Sequence, residues 1–251
     1  MKALLAFCFA AALAAQSPPI VKNGAVETRA FAGDLATQLK STRAAWFGYE
    51  IKTERKTNQW CDGRYQNPIQ LEGSDRAAVL LRIENNQLQK LRIYSLTCEL
   101  DTGGLPFVWL TGVSADASLA YLNGLLKDGS EKAIFAISQH AGMQATDMLI
   151  NAAKNNQSPH LREQALFWLA QRAGEKSAAA IVDAIANDPD TEVKKKAVFA
   201  LSQLPGDEGV PKLIEVARTQ RNPQVRKQAF FWLGQSHDAR AFQYIEDVLT
   251  K

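Results

Sequence analysis

The chain has 251 residues, of which 46% are hydrophobic and 22% charged, with a formal net charge of +3. That balance excludes a disordered polymer and gives no strong field towards nucleic acid or an anionic membrane. The length has room for one large domain or two modest ones.

The N-terminus opens with Lys2, an apolar run from Ala3 to Leu13, small residues up to Ala15, then Gln16-Ser17 and two prolines. This is the layout of a cleaved secretory leader, so residues 1–15 are expected to be removed and the protein to work in the periplasm or outside the cell. The apolar run is too short for a comfortable membrane span, and no later segment has that character. Cys8 follows the bulky Phe7 inside the run, which argues against lipid attachment.

Residues 16–113 are rich in strand formers, and a β-rich module is expected there. Val26–Phe31 predicts a strand and Asp34–Lys40 a short helix. "AAWFGYEIKT" (44–53) predicts a second strand. Val79, Leu81 and Ile83 alternate with polar residues, Asn85-Asn86 tolerates positive φ, and Leu91 and Ile93 return. That pattern predicts a hairpin. A further strand follows the Gly103-Gly104 turn. In an exported chain the remaining cysteines, Cys61 and Cys98, are expected to form a disulfide, since neither C-x-x-C spacing nor a nearby histidine favours a redox or metal role. Such a bridge would bring Asp62 and Asp101 to one rim. Two carboxylates there are the basis of a rival reading as a metal-dependent or hydrolytic enzyme.

Ser114 or Asp116 predicts the start of a helix over Leu119–Lys127, and from 114 to 251 the sequence repeats. "AIFAISQ" (133–139), "ALFWLAQ" (165–171), "AVFALSQ" (197–203) and "AFFWLGQ" (229–235) recur every 32 residues. Each unit predicts two amphipathic helices. Asp190 caps the start of one, and Ser158-Pro159 and Asn222-Pro223 place a capping side chain before a first-turn proline. Pro205-Gly206 separates the pair in the third unit. Such pairs bury their apolar stripes only by stacking.

"DPDTEVKKKAVFALSQLPGDEGVPKLIEVA" and "NPQVRKQAFFWLGQSHDARAFQYIEDVL" resemble HEAT repeats, of the short type also found in phycobilisome lyases. The resemblance implies an α-solenoid of about four helical pairs, so the chain is expected to be mainly α, with a small β-rich (α+β) module first. It also implies a scaffold that binds another protein. The lyase side of the resemblance supplies a weaker alternative, a tetrapyrrole-handling protein. The chain is also similar to secreted bacterial HEAT-repeat proteins that carry Trp46, Gly48, Tyr49, Cys61 and the run Cys98–Pro106 in an N-terminal segment.

On a helical wheel Phe135, Phe167, Phe199 and Phe231 form a ladder near the outer surface, with Gln139, Gln171, Gln203 and Gln235 beside it. Trp168 and Trp232, alternating with Ala136 and Ala200, are expected in the core. Two readings of the phenylalanines stay open. Each packs against the first helix of the next repeat, or the ladder is an exposed strip that grips a partner. Lys194–Lys196 and Arg226-Lys227 are expected to pair with Asp188 and Asp190. His140, His160 and His237 fall near helix ends and are expected at the surface. No phosphate loop, ordered Ser/His/Asp set or H-E-x-x-H motif occurs, so no catalytic, metal or cofactor residue is assigned.

Intact-mass analysis of the exported protein is expected to give a chain starting at Gln16 with both remaining cysteines protected from alkylation. A mass that still includes residues 1–15 would show that the leader is not removed.

Overall fold

The computed structural model describes residues 18–57, 61, 73–172, 174–204 and 208–250. Asp62 and Pro205-Gly206, singled out above, lie outside the described residues.

Before the repeats come β1 (Ile20–Lys22), β2 (Val26–Ala30), α1 (Leu35–Gln38), β3 (Ala45–Thr57), β4 (Ser74–Glu84), β5 (Gln87–Ser95), β6 (Glu99–Asp101) and β7 (Phe107–Thr111). Five strands form one sheet in the order β2-β7-β3-β4-β5, and β1 pairs with β6 alone. β1 and β6 are parallel; in the larger sheet β7 runs parallel to β2 and β3, and β3-β4 and β4-β5 are antiparallel. The hairpin turn is the predicted one: Asn85 and Asn86 have φ of 51° and 59°, in the left-handed region that asparagine tolerates. Asp34 caps α1 by accepting from the Thr37 amide.

The central strands read as apolar runs because both faces of the sheet are covered. Trp46, Leu80, Tyr94, Phe107 and Trp109 face a small core closed by Cys98 and Leu100. Gly48 lies on that side, where a Cβ would come within 2.9 Å of both Leu80 and Phe107. Cys61 and Cys98 form the expected disulfide, with Cα atoms 5.6 Å apart. On the other face Phe47, Tyr49, Ile51, Val79, Leu81, Leu110 and their neighbours join a core that runs on through the helices as far as Tyr244.

Helix α2 (Ala115–Lys127) starts at Ser114, whose hydroxyl accepts from the Ala117 amide. Four helical pairs follow: α3 (Glu131–Gln139) with α4 (Met143–Asn155), α5 (Pro159–Ala170) with α6 (Glu175–Asn187), α7 (Thr191–Ser202) with α8 (Gly209–Thr219), and α9 (Pro223–Gln235) with α10 (Ala239–Leu249). The first helices of successive pairs pack against one another. Ser158, Asp190 and Asn222 cap them as the sequence predicts. No helix among the described residues is long and apolar enough to cross a membrane.

In the second, third and fourth repeats one basic residue binds carbonyls that precede its own first helix. Arg162 donates to the carbonyls of Asn156 and Gln157, Lys194 to that of Ala186, and Arg226 to those of Gln220 and Arg221. Asp188 therefore does not pair with the lysines that follow it. It takes a two-pronged contact from Arg162 of the preceding repeat, at 2.7 and 3.0 Å, with both side chains buried. Arg162 reaches it because the guanidinium spans two repeats, whereas Lys194 is held by Ala186.

The sheet and the repeats meet at Arg172. Its Nε donates to Thr146 Oγ1 (2.8 Å), its Nη1 to the carbonyls of Ser138 (3.0 Å) and His140 (2.9 Å), and its Nη2 to Glu54 Oε2 (3.0 Å) and the Gly142 carbonyl (2.9 Å). Those five bonds match the five N–H groups of a guanidinium, and the residue is 3% exposed. The far end of β3 follows the same seam. Ala141 donates its amide to the Lys52 carbonyl, Gly142 donates to Glu54, and Arg55 donates to Gln171.

Arg172→Met keeps the side-chain bulk but leaves buried acceptors unsatisfied, each costing about 1–3 kcal/mol. With three such acceptors on buried residues, Ser138, His140 and Thr146, the melting temperature of the mature protein is expected to fall by at least roughly 6 °C. A shift under about 2 °C would show that other contacts hold the joint.

Candidate functional site

The first-helix face carries the repeated aromatics, which assemble into two three-ring clusters. Trp168 sits 5.1 Å from Phe135 of the preceding repeat and 5.0 Å from Phe167 of its own helix. Trp232 stands in the same relation to Phe199 and Phe231, at 5.0 Å from each. Within one helix the rings meet edge-on, and across helices they tilt, both favourable arrangements for aromatic quadrupoles. The tryptophans pack against the edge of the repeat core rather than inside it. They are half-buried and fill the space beside a phenylalanine of the neighbouring helix, which the alanines at 136 and 200 leave open.

Phe135, Phe167 and Phe199 are half-buried, while Phe231 is 52% exposed. Sideways packing on the next repeat therefore holds for Phe135 and Phe199. The glutamines do not form one uniform row. Gln139 is buried and donates to Ser138, and Gln171 accepts from Arg55 of β3, because the sheet covers that end of the array. Gln203 and Gln235 are exposed. They border a cleft of about 420 Å³ that also touches Trp232, Ser236, His237 and Asp238. A second groove of about 360 Å³ lies between α7 and α9, over Phe199 and Trp232. The buried indole nitrogen of Trp232 has no hydrogen-bond partner among the described residues.

The proposed carboxylate pair is only half visible. Asp101 is exposed and staples its own turn, accepting from the Gly103 amide at 2.8 Å and from Asn23 at 3.1 Å. Those bonds, the Gly103 amide first, hold its carboxyl below the usual range. Asp62 lies outside the described residues. Among the described residues no group of three or more His, Cys, Asp or Glu side chains is placed to hold a metal ion.

The HEAT-repeat family matches residues 119–202 and 146–234, the stretch that folds as stacked pairs. The helical half of the chain is a HEAT-repeat array. No curated protein matches. Among solved structures, human deoxyhypusine hydroxylase in complex with glycerol is similar at 20% identity and a TM-score of 0.39, over 46% of this chain. The chain spans 42% of that protein's length.

One polar chain ties the sheet to the HEAT array, and sequence reasoning missed it. His140, expected at the surface, is 1% exposed. Its Nε2 lies 2.8 Å from Ser118 Oγ, which lies 2.8 Å from the Tyr49 hydroxyl, and its Nδ1 is 2.9 Å from the Ala136 carbonyl. A serine hydroxyl against an imidazole is a geometry that can activate a nucleophile. Here Tyr49 and Ser118 are fully enclosed as well, so no substrate reaches the pair. The network links β3, α2 and the end of α3. The missing signal was tertiary: the residue follows the last turn of a helix that the sheet covers. Burial pushes the Tyr49 hydroxyl well above its usual range.

Burial also lowers the His140 pKa from 6.5 to about 4, and the Arg172 cation adds to the effect. Unfolded chains take up the proton near pH 6.5, while the folded protein refuses it until about pH 4. Stability from this group is therefore complete above pH 6.5 and is lost as pH falls through that window. The loss is expected to be on the order of 3 kcal/mol. Denaturant titrations from pH 7.5 to 4 are expected to show this slope in the wild type and a shallower one in His140→Gln. Parallel profiles would mean that the imidazole is not the group responsible.

Proposed function

We propose that this protein is an exported scaffold that binds another envelope or secreted protein through the first-helix surface of its HEAT array. The β-rich cap closes one end of the repeat core, which an array of this kind needs in order to stay soluble. The surface itself is the strip lined by Phe135, Phe167, Phe199 and Phe231, with Gln203 and Gln235 at its open end.

The observation that carries this reading is Phe231. It stands 52% exposed, its ring edge-on to half-buried Trp232, which borders two clefts whose walls mix rings with amides and charges. Aromatic anchors with adaptable polar neighbours are the usual makings of a protein-binding hot spot. The catalytic alternative lacks such support, since the Asp101 carboxylate is engaged in its own turn.

The test places a photo-crosslinking phenylalanine analogue at position 231 in cells that produce the protein, with position 75, on exposed β4 residue Asp75, as control. A discrete adduct with another exported protein is expected from position 231 alone. No adduct, or the same products from both positions, would remove the strip as the binding surface.

A further inference from the structure

The charged border of the aromatic strip changes sign halfway along the array. One helical turn before the four phenylalanines stand Glu131, Glu163, Lys195 and Lys227, at the same position in each repeat. Lys132 and Lys196 follow at the next position in alternate repeats. Two carboxylates and one ammonium thus border the first ring cluster. Three ammoniums and the carboxylate of Glu192 border the second. Local pairing takes up little of this: His160 lies 3.4 Å from Glu131, and Lys195 lies 2.8 Å from Glu192. Glu163, Lys196 and Lys227 make no ion pair among the described residues.

The floor between these borders is recessed. Three of the four phenylalanines are half-buried, and the groove between α7 and α9 is bounded by Glu192, Lys195, Lys196, Phe199, Gln228 and Trp232. A recessed ring floor is filled by an inserted side chain. A second copy of the same strip offers mostly recessed rings of its own, so two strips cannot fill one another. An extended chain can, because its alternate side chains project to one side. First helices pack about 8–10 Å apart. The two ring clusters, two repeats apart, are then separated by about 16–20 Å, which an extended chain at ~3.3 Å per residue crosses in about six residues.

We propose that the strip holds an extended segment of the partner protein with two apolar side chains about six residues apart. Acidic residues flank the side chain that enters the α7–α9 groove, and basic residues flank the one over the first two repeats. This inference rests on the first-helix face being the partner-binding surface.

The probe is a fluorescein-labelled peptide, D-D-L-D-G-S-S-S-L-K-K-K, followed by fluorescence anisotropy with the mature protein. Two controls have the same length: one alternates the charges along the chain, and the other replaces both leucines by serine. The first peptide is expected to bind about tenfold more tightly than either control, as two favourable surface ion pairs would allow. Binding is expected to weaken by a similar factor in K195E/K227E and in E131K/E163K. It should return in the variant carrying all four changes, where the peptide lies in the opposite direction. These residues are at the surface, and circular dichroism checks that each variant is folded. Equal affinity for the three peptides, or no recovery in the fourfold variant, would overturn the proposal. Sedimentation of the wild type as a dimer that K195E/K227E dissociates would overturn it too, in favour of a second copy on the strip. Should position 231 give its adduct while the peptides fail, the scaffold role stands and the segment falls.

Discussion

A single guanidinium decides how the two halves of this molecule sit. Arg172 leaves the end of the second repeat's first helix and enters a seam where the α3–α4 turn presents three carbonyls and β3 presents Glu54. Helix ends leave carbonyls without intrahelical partners, and two of these belong to the buried residues Ser138 and His140. A lysine has three donors and no fork, so it could not meet five acceptors set around one plane. Burial works against the Arg172 charge, and Glu54 offsets part of that cost. With the seam closed, the end of β3 is committed to the array, and Tyr49, Ser118 and His140 are enclosed behind it.

The array applies the same logic in three of its four repeats. Arg162, Lys194 and Arg226 occupy one repeat position, and each binds carbonyls near the end of the preceding helix. Arg162 also crosses to Asp188 in the next repeat, whereas the corresponding position for Lys194 is the uncharged Gln220. The side chains of Asn156, Asp188 and Gln220 all serve the turn, accepting the amides of Ser158, Asp190 and Asn222. Gln220 keeps the local bond and donates instead to the Ile185 carbonyl of the preceding repeat. The Arg162–Asp188 pair thus ties the second repeat to the turn that opens the third.

The repeat architecture was legible because its signals are local and recur: capping residues before prolines, helical spacing and a constant 32-residue period. The Asn85-Asn86 hairpin was legible for the same reason. What escaped were residues whose setting depends on distant chain. His140 looked like a surface residue near a helix end, and nothing within several positions of it announces the sheet that covers it. Gln139 and Gln171 matched Gln203 and Gln235 letter for letter, yet the first two lie against the sheet and the others do not. Trp168 and Trp232, expected in the core, only border it, half-buried between neighbouring first helices. A wheel treats a helix as having one buried side, whereas the first helices of a solenoid are also covered by neighbours on their flanks.

That flank packing explains how such a strip can exist on a stable protein. Rings that stack on the adjoining repeat, as Phe135 and Phe199 do, are partly covered without any partner, so the strip does not present one continuous apolar patch of the kind that drives aggregation. The residues around it obey a different constraint. Exposed ion pairs contribute within about 1 kcal/mol to folding. Glu131, Glu163, Lys195 and Lys227 can therefore vary in sign with little effect on the fold, while the rings cannot vary in size without opening gaps between helices. If the strip binds a partner as proposed, affinity for apolar side chains is tied to the packing of the array, and selectivity to a column of charges that the array does not need.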